Sequence, residues 1–225
     1  NTILKDSELA EAERQMKRYY EMGVDALIVQ DMGLLKLDLP PIALHASTQM
    51  DNRTPEKVKF LQNAGFQRVV LARELSLQQI QEIRKACDVE LEAFVHGALC
   101  VSYSGRCYMS YVSCGRSANR GECAQFCRLP YTLVDADGNA IVCDRHLLSL
   151  KDMDRSDWLL PMMQAGIMSF KIEGRLKDVS YVKNITAYYR RRIDAILEDH
   201  PEYKAASIGK TTLFFEPDPD KTFHR

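Results

Sequence analysis

Three stretches of this chain repeat one local grammar, and that repetition limits the fold more than any other feature. They are Met22-Gly23-Val24-Asp25-Ala26-Leu27-Ile28-Val29-Gln30, Ala64-Gly65-Phe66-Gln67-Arg68-Val69-Val70-Leu71-Ala72 and Ala165-Gly166-Ile167-Met168-Ser169-Phe170-Lys171-Ile172-Glu173. Each sets a glycine after a small or flexible residue, then a three-residue link, then an extended run. The glycine stands where a helix C-cap needs positive φ, and the link has the length of an αβ connection in a parallel sheet. The segments before the glycines read as helices. Ser7 is placed to cap Glu8 to Glu21, Thr54-Pro55-Glu56 opens a run to Ala64 with proline at the first helical position, and Ser76 caps Leu77 to Ala86. Ile42 to His45 and Leu91 to Val95 add two more strands, so at least five parallel strands alternate with helices. No strand is followed by a glycine-rich phosphate loop, so the expected fold is α/β, a β/α barrel of the TIM type rather than a dinucleotide-binding sheet.

The chain has 225 residues, and a complete eight-fold barrel takes about 250. It opens on Asn1 without the charged and apolar regions of a signal peptide, which reads as a fragment of a longer chain. Its formal charge of −1 argues against coating nucleic acid by bulk electrostatics. Apolar runs such as Ala26 to Val29 and Val69 to Ala72 fall far short of the roughly 20 residues of a membrane span, so no membrane partner is expected.

In a β/α barrel the chemistry sits at the C-terminal ends of the strands. Those positions carry Gln30-Asp31, His45 with Ser47, Thr48 and Gln49, Arg73-Glu74, Glu92 with His96, and Lys171 with Glu173 and Arg175. Polar strand ends are also the ordinary state of an exposed sheet edge, and His45 reads as a packed histidine.

Between Val95 and Leu147 the composition changes to Gly, Ser, Tyr, Arg and Cys. A loop of about fifty residues inside a compact domain is usually functional. Seven cysteines in all, five of them between Cys100 and Cys127, are an odd set for disulfide pairing and point to metal or redox chemistry in a reducing compartment. Cys100-x6-Cys107-x15-Cys123-x3-Cys127 offers two close pairs of thiolates, the requirement of a four-sulfur site. A [4Fe–4S] cluster and a tetrathiolate zinc both meet it. Zinc pairs usually sit two to four residues apart, which Cys123 and Cys127 satisfy and Cys100 and Cys107 do not. Gly105, Gly115 and Gly121 let backbone approach a cluster closely. Cys87 and Cys114 read as structural. Cys143 follows the turn Asp137-Gly138-Asn139 and remains an alternative ligand.

The run Glu92-Ala93-Phe94-Val95-His96-Gly97-Ala98-Leu99-Cys100-Val101-Ser102-Tyr103-Ser104-Gly105-Arg106-Cys107-Tyr108-Met109-Ser110 closely resembles the signature of the peptidase U-32 family, the collagenase-like proteases. The likeness continues through Gly115 to Tyr131, Leu148-Ser149-Leu150-Lys151-Asp152-Met153 and Phe170-Lys171-Ile172-Glu173-Gly174-Arg175-Leu176-Lys177. It implies a barrel whose first strands precede this chain. It also implies an oxygen-independent hydroxylation factor with a [4Fe–4S] cluster on Cys100, Cys107, Cys123 and Cys127, acting on transfer RNA wobble uridine or on a 23S ribosomal RNA cytidine, with prephenate as cosubstrate. Other relatives act in ubiquinone synthesis, and some take one ligand further along the chain, which keeps Cys143 open.

On this reading residues 1–99 form the first βα units, 100–146 a cluster-binding insertion, 147–204 the final βα unit with a long helix, and 205–225 a tail or the start of a further domain. Lys171 and Arg175 would hold a small anionic cosubstrate, Glu92 or His96 would move protons, and Glu173 completes the polar pocket; an ion-pair network at the barrel mouth is the simpler account of the same residues. Arg106, Arg116, Arg120 and Arg128, interleaved with Tyr103, Tyr108, Tyr111 and Tyr131, suit unpaired RNA. Arg190-Arg191-Arg192 reads more simply as a solvated helix face. The expected location is cytoplasmic. Two other classes stand beside this one: a collagenase-like peptidase with a peptide substrate, and a structural zinc-binding interaction protein. The chain has no Gly-x-Ser-x-Gly and no His-Glu-x-x-His, so a peptidase would rest on Cys100 with His96 as its base, which leaves the paired spacing unexplained.

Overall fold

A computed structural model of the chain describes residues 2–209 and 211–222; of the expected tail, residues 210 and 223–225 lie outside the described residues. In chain order the helices are α1 (Leu9–Glu21), α2 (Pro55–Asn63), α3 (Leu77–Ala86), α4 (Met109–Cys114), α5 (Leu159–Gln164) and α6 (Val179–Asp199). The strands are β1 (Ala26–Val29), β2 (Ala43–Ala46), β3 (Arg68–Val70), β4 (Glu90–Gly97), β5 (Tyr131–Val134), β6 (Ala140–Arg145), β7 (Met153–Asp154) and β8 (Ile167–Ile172).

The local signals act largely as expected. Gly23, Gly65 and Gly166 take φ of 78°, 97° and 92° and end α1, α2 and α5 in the left-handed region that residues with a Cβ avoid. The links are shorter than the three residues expected: two residues before β1 and before β3, and none before β8, which starts directly after Gly166. Thr54 caps α2 through its hydroxyl and Pro55 opens it, while Ser76 and Gln79 close a reciprocal capping box on α3. Ser7 does not cap α1. It lies inside a short 3₁₀ turn, Asp6–Glu8, whose Glu8 carboxylate accepts from the Lys5 backbone N–H at 2.7 Å.

Strands β1, β2, β3, β4 and β8 pair in that order, all parallel, and two-residue β7 runs antiparallel to the end of β4. The order follows the chain without reversal, so right-handed crossovers place the helices on one face. Leu44, Ala46, Val69, Leu91, Ala93, Val95 and Ile167 point to that face and bury against Met16 of α1, Val58 and Leu61 of α2, Ile80 and Ile83 of α3, Leu159 and Met162 of α5, and Ile185 of α6. Each of the larger side chains among these, Val, Leu, Ile and Met, contributes about 1.5–3 kcal/mol through burial. The opposite face carries a small cluster of Val70, Phe94 and Met153 and, beside it, Arg68, Glu92, Ser169 and Lys171. Among the described residues the sheet is open, with β1 and β8 at its edges; a closed barrel is not formed.

Strand β4 holds one residue more than β8 between Phe94 and His96. At this bulge Val95 and His96 both turn toward the helices, against the alternation that would put His96 on the face of Glu92 and Phe94. Residues 100–146 leave the sheet as a long excursion carrying α4 and the hairpin β5–β6, whose turn is the expected Asp137-Gly138-Asn139 with Asp135 accepting from the backbone of both Asp137 and Asn139.

Candidate functional site

The excursion is fastened back over the C-terminal ends of the parallel strands. Ser104 donates its backbone N–H and its hydroxyl to the Glu74 carboxylate beyond β3, at 3.1 and 3.0 Å, and lies 3.4 Å from the Thr48 hydroxyl beyond β2. Gly105 has φ +76°, and a Cβ there would stand 2.0 Å from the Gln49 carbonyl oxygen. Only glycine fits so close a crossing. Arg128 ties the far end of the excursion to Ser149 at 2.8 Å, to the Leu150 carbonyl at 3.1 Å and to the Leu99 carbonyl.

This fastening brings Cys100, Cys107, Cys123 and Cys127 to the wall of one cavity of about 410 Å³, which Gln49, Arg73, Tyr103, Tyr108, Glu173 and Arg175 also line. A second cavity of about 320 Å³ shares Cys100, Cys123 and Cys127 and carries Arg73, Arg116, Arg128 and Arg175, with Glu173 as its carboxylate. All seven cysteines are free thiols. A tetrahedral zinc would hold its sulfurs about 2.3 Å from one ion and so about 3.8 Å from one another. Among the described residues no three Cys, His, Asp or Glu side chains converge that way, so the four thiols border a volume rather than meet at a point. Cys100 is open on its cavity side, yet the protein packed behind it makes its thiolate costly. Burial, with Cys107 and Cys123 adding to it, raises that thiol above the usual range, and burial does the same to Cys127 despite Arg128 beside it.

The other cysteines stand apart from these cavities. Cys87 is buried at the end of α3 and donates to the Ile83 carbonyl at 3.1 Å, while Cys114 donates to the Ser110 carbonyl at 3.2 Å. Cys143 is exposed on β6 and lines neither cavity.

The expected polar pocket divides into three places. Glu173 and Arg175 reach the cysteine cavities. The Glu173 carboxylate accepts from Arg73 at 2.8 Å and from the Arg175 backbone N–H at 3.1 Å, and its own carbonyl accepts from the Tyr181 hydroxyl at 3.2 Å. Glu92 and Lys171 form a pair at 3.1 Å on the open face of the sheet, where Glu92 also accepts from Ser169 at 2.9 Å and from Arg68 at 3.3 Å. Burial opposes ionisation of Glu92, but Lys171, Ser169 and Arg68 outweigh it and hold the carboxyl below its usual range. His45 faces the same charges, and burial with Arg68 lowers its pKa. Phe94 joins the two places, with Arg73 stacked 4.1 Å and Lys171 5.4 Å from its ring centroid.

His96 occupies the third place. The bulge sets its buried ring against Tyr181 and Tyr189 of α6, with Nδ1 3.3 Å from the Tyr189 hydroxyl. That hydroxyl donates to the Val95 carbonyl at 2.8 Å or the Asp154 carboxylate at 2.9 Å, and accepts from the Arg155 backbone N–H at 3.3 Å. Asp154 and the low-dielectric surroundings push the Tyr189 phenol far above its usual range, burial first, and burial pushes Tyr181 up to about 12. His96 lines neither cysteine cavity.

Of the arginines singled out, Arg120 is bound to Glu8 at 2.6 Å, and Arg190, Arg191 and Arg192 pair with Asp194, Glu216 and Asp157. Tyr131 is also structural, donating to the Phe126 carbonyl at 2.8 Å. Arg73 is the site residue that sequence reasoning left at a strand end without a role; its place immediately after Leu71-Ala72, level with the other strand ends, was the available signal.

Along its whole length, residues 1–225, the chain matches the family described as Peptidase family U32. It is 59% identical over 225 residues to the 23S rRNA 5-hydroxycytidine C2501 synthase of Escherichia coli, covering 100% of this chain and 34% of that protein. It is 35% identical over 227 residues to tRNA hydroxylation protein P1 of Bacillus subtilis, covering 92% of this chain and 54% of that protein. To a collagenase of Porphyromonas gingivalis it is 32% identical over 224 residues, covering 93% of this chain and 53% of that protein. The chain thus spans between a third and about half of the relatives it matches.

Proposed function

Because the chain belongs to peptidase family U32, we propose that it is the cluster-binding part of an enzyme that hydroxylates RNA without oxygen, with a 23S ribosomal RNA cytidine as the favoured target and transfer RNA wobble uridine as the other. The observation that carries this reading is the gathering of Cys100, Cys107, Cys123 and Cys127 around one cavity at the C-terminal ends of the strands. The identity of 59% to a relative named for ribosomal cytidine, against 35% to one named for tRNA, favours the first target.

Thiols that border a volume suit a polynuclear [4Fe–4S] group better than a single zinc, whose ligands must share one ion. Such a cluster on these four cysteines, within the 100–146 insertion, would supply one-electron chemistry. The residues of this chain would do the rest. Arg73, Arg116, Arg128 and Arg175 around the second cavity present four guanidinium groups against one carboxylate, a setting for a small anionic cosubstrate such as prephenate. Arg116 and Arg175 have no carboxylate partner among the described residues, so their charge is available to a ligand, while Arg128 adds its charge from the fixed position that Ser149, Leu150 and Leu99 give it. Lys171, neutralised by Glu92, steadies the sheet face beneath Phe94. Glu173, held by Arg73, is the carboxylate placed to move a proton at the cavity wall.

The open six-stranded sheet fits as part of a β/α barrel: its five parallel strands follow chain order without a switch point, with only two-residue β7 antiparallel. Among the described residues no helix is long and apolar enough to cross a membrane. A cytoplasmic location goes with an RNA substrate and with seven free thiols. The peptidase alternative needs Cys100 and His96 as a pair, and the bulge in β4 turns His96 into the contact with α6 instead.

The test is to delete the gene for the full-length protein in its host, restore it with wild type or with Cys123→Ser, and digest the RNA to nucleosides for mass spectrometry. The proposal expects one hydroxylated base to vanish and to return only with wild type. Unchanged RNA, with cleavage of a collagen peptide by the purified protein, would establish the peptidase instead.

A further inference from the structure

Around the mouth of the cysteine cavity the chain exposes an aromatic surface that its own packing does not use. Tyr103, Tyr108 and Tyr111 are each about 60% exposed and Val112 is 83% exposed. Tyr108 immediately precedes α4, and Tyr111 and Val112 are exposed on it, while Ser110 turns inward and accepts from the Ala124 backbone N–H at 2.9 Å. Tyr103 and Tyr108 line the cavity itself. Contiguous exposed apolar surface of this kind marks a docking site.

The charges around it say what docks. The Arg53 guanidinium lies 4.1 Å from the Tyr103 ring centroid, and Arg53 and Arg106 share the single carboxylate of Asp51. Arg116 and Arg175, without carboxylate partners, lie on the adjoining cavity. A chain of formal charge −1 has therefore gathered more guanidinium groups than carboxylates beside flat, exposed rings, where Asp51 and Glu74 are the carboxylates acting on Arg53. Rings with guanidinium groups recognise unpaired nucleotides, whose bases stack while their phosphates meet the cations. A second protein surface would not need the cations.

We propose that Tyr103, Tyr108 and Tyr111, with Arg53 and Arg106, form the platform on which unpaired nucleotides beside the reacting base stack, so that the enzyme takes its target from a single-stranded loop and not from a duplex. The platform rests on the RNA reading above and adds the residues and the strandedness. Tyr103 and Tyr108 belong to both the platform and the cavity wall, so a base entering the cavity has its neighbours on the rim.

The experiment uses the full-length, cluster-loaded protein and a fluorescein-labelled single-stranded RNA of about twelve nucleotides, with a duplex of equal length, by anisotropy at fixed salt. Tyr103→Ala/Tyr108→Ala should weaken single-strand binding about 25-fold or more, the product of about 5-fold or more for each of the two rings. Tyr103→Phe/Tyr108→Phe should retain it, and duplex binding should be weak and alike in all three. Cluster absorbance serves as the folding control. Equal affinity of the Ala variant and wild type overturns the platform, as does an Ala variant that changes oligomeric state or thermal midpoint with RNA affinity intact, because the patch is then an internal or self-interface. If wild type hydroxylates RNA while the Ala variant binds and reacts normally, the platform falls and the activity reading stands. If stacking-dependent binding is found but no RNA is hydroxylated, the activity reading falls and the platform stands.

Discussion

Replacing Gly105 by alanine should cost the protein more than any other glycine change in the insertion, and the structure sets the amount. The backbone there has φ +76°, and the added Cβ would sit 2.0 Å from the Gln49 carbonyl oxygen and 2.7 Å from its carbon. The left-handed conformation costs an L-residue about 1–2 kcal/mol. The clash is with backbone, so no side chain can swing away, and overpacking of this kind costs a further 1–3 kcal/mol or so. Gly138 supplies the control: its φ is +86°, but a Cβ there meets nothing within 4 Å. Gly138→Ala therefore carries the first cost alone. Differential scanning calorimetry on the two full-length variants should place Gly105→Ala lower by about 2–12 °C, the equivalent of that extra 1–3 kcal/mol. Cys107 lies two residues beyond Gly105, so the displaced turn should also reduce bound iron in Gly105→Ala and leave it unchanged in Gly138→Ala. Equal midpoints and equal iron in the two variants would refute the claim that this crossing fastens the insertion to the sheet.

Tyr189→Phe removes a buried hydroxyl that serves Val95, Asp154, Arg155 and His96; it should destabilise by about 1–3 kcal/mol, read from urea unfolding. Glu92 has a folded-state pKa below its usual 4.5. Its contribution is therefore fully present above the unfolded value and is lost as pH falls through the folded one. Wild type should lose midpoint as pH falls below the usual carboxylate value of 4.5, whereas Glu92→Gln should start lower at neutral pH and fall less over the same acid range. Arg73→Ala frees the Glu173 carboxylate and empties the stack on Phe94; hydroxylation should fall and the KM for an anionic cosubstrate should rise, with Arg73→Lys restoring only part, since a lysine lacks the planar fork.

What the sequence made legible was what local chemistry decides. Gly23, Gly65 and Gly166 end helices because positive φ disfavours residues with a Cβ, Thr54 and Ser76 cap because their hydroxyls reach the next turn, and Asp137-Gly138-Asn139 turns a hairpin; all are settled within a few residues. The start of α1 escaped because Glu8, not Ser7, satisfies the backbone N–H of Lys5. The site was legible in its cysteines, since their pairing in sequence reflects two turns facing one space. It was not legible in His96 or Arg73. His96 is turned to α6 by one extra residue in β4, a register relation with β8 some 75 positions away, and alternation along β4 alone gives the opposite face. Arg73 gains its role from Glu173, 100 residues on, and no local pattern announces that pair. The expectation of a partial β/α barrel rested on the alternation of helices and strands, which fixes the parallel order seen in the sheet but does not by itself decide whether the edge strands join.

Iron analysis of the anaerobically purified full-length protein, repeated for Cys127→Ser and Cys143→Ser, tests the account most directly. About four irons per chain are predicted in wild type and in Cys143→Ser, with broad absorbance near about 400 nm, and a marked loss of both in Cys127→Ser. A colourless protein holding one zinc, or a loss of iron in Cys143→Ser with none in Cys127→Ser, would contradict it.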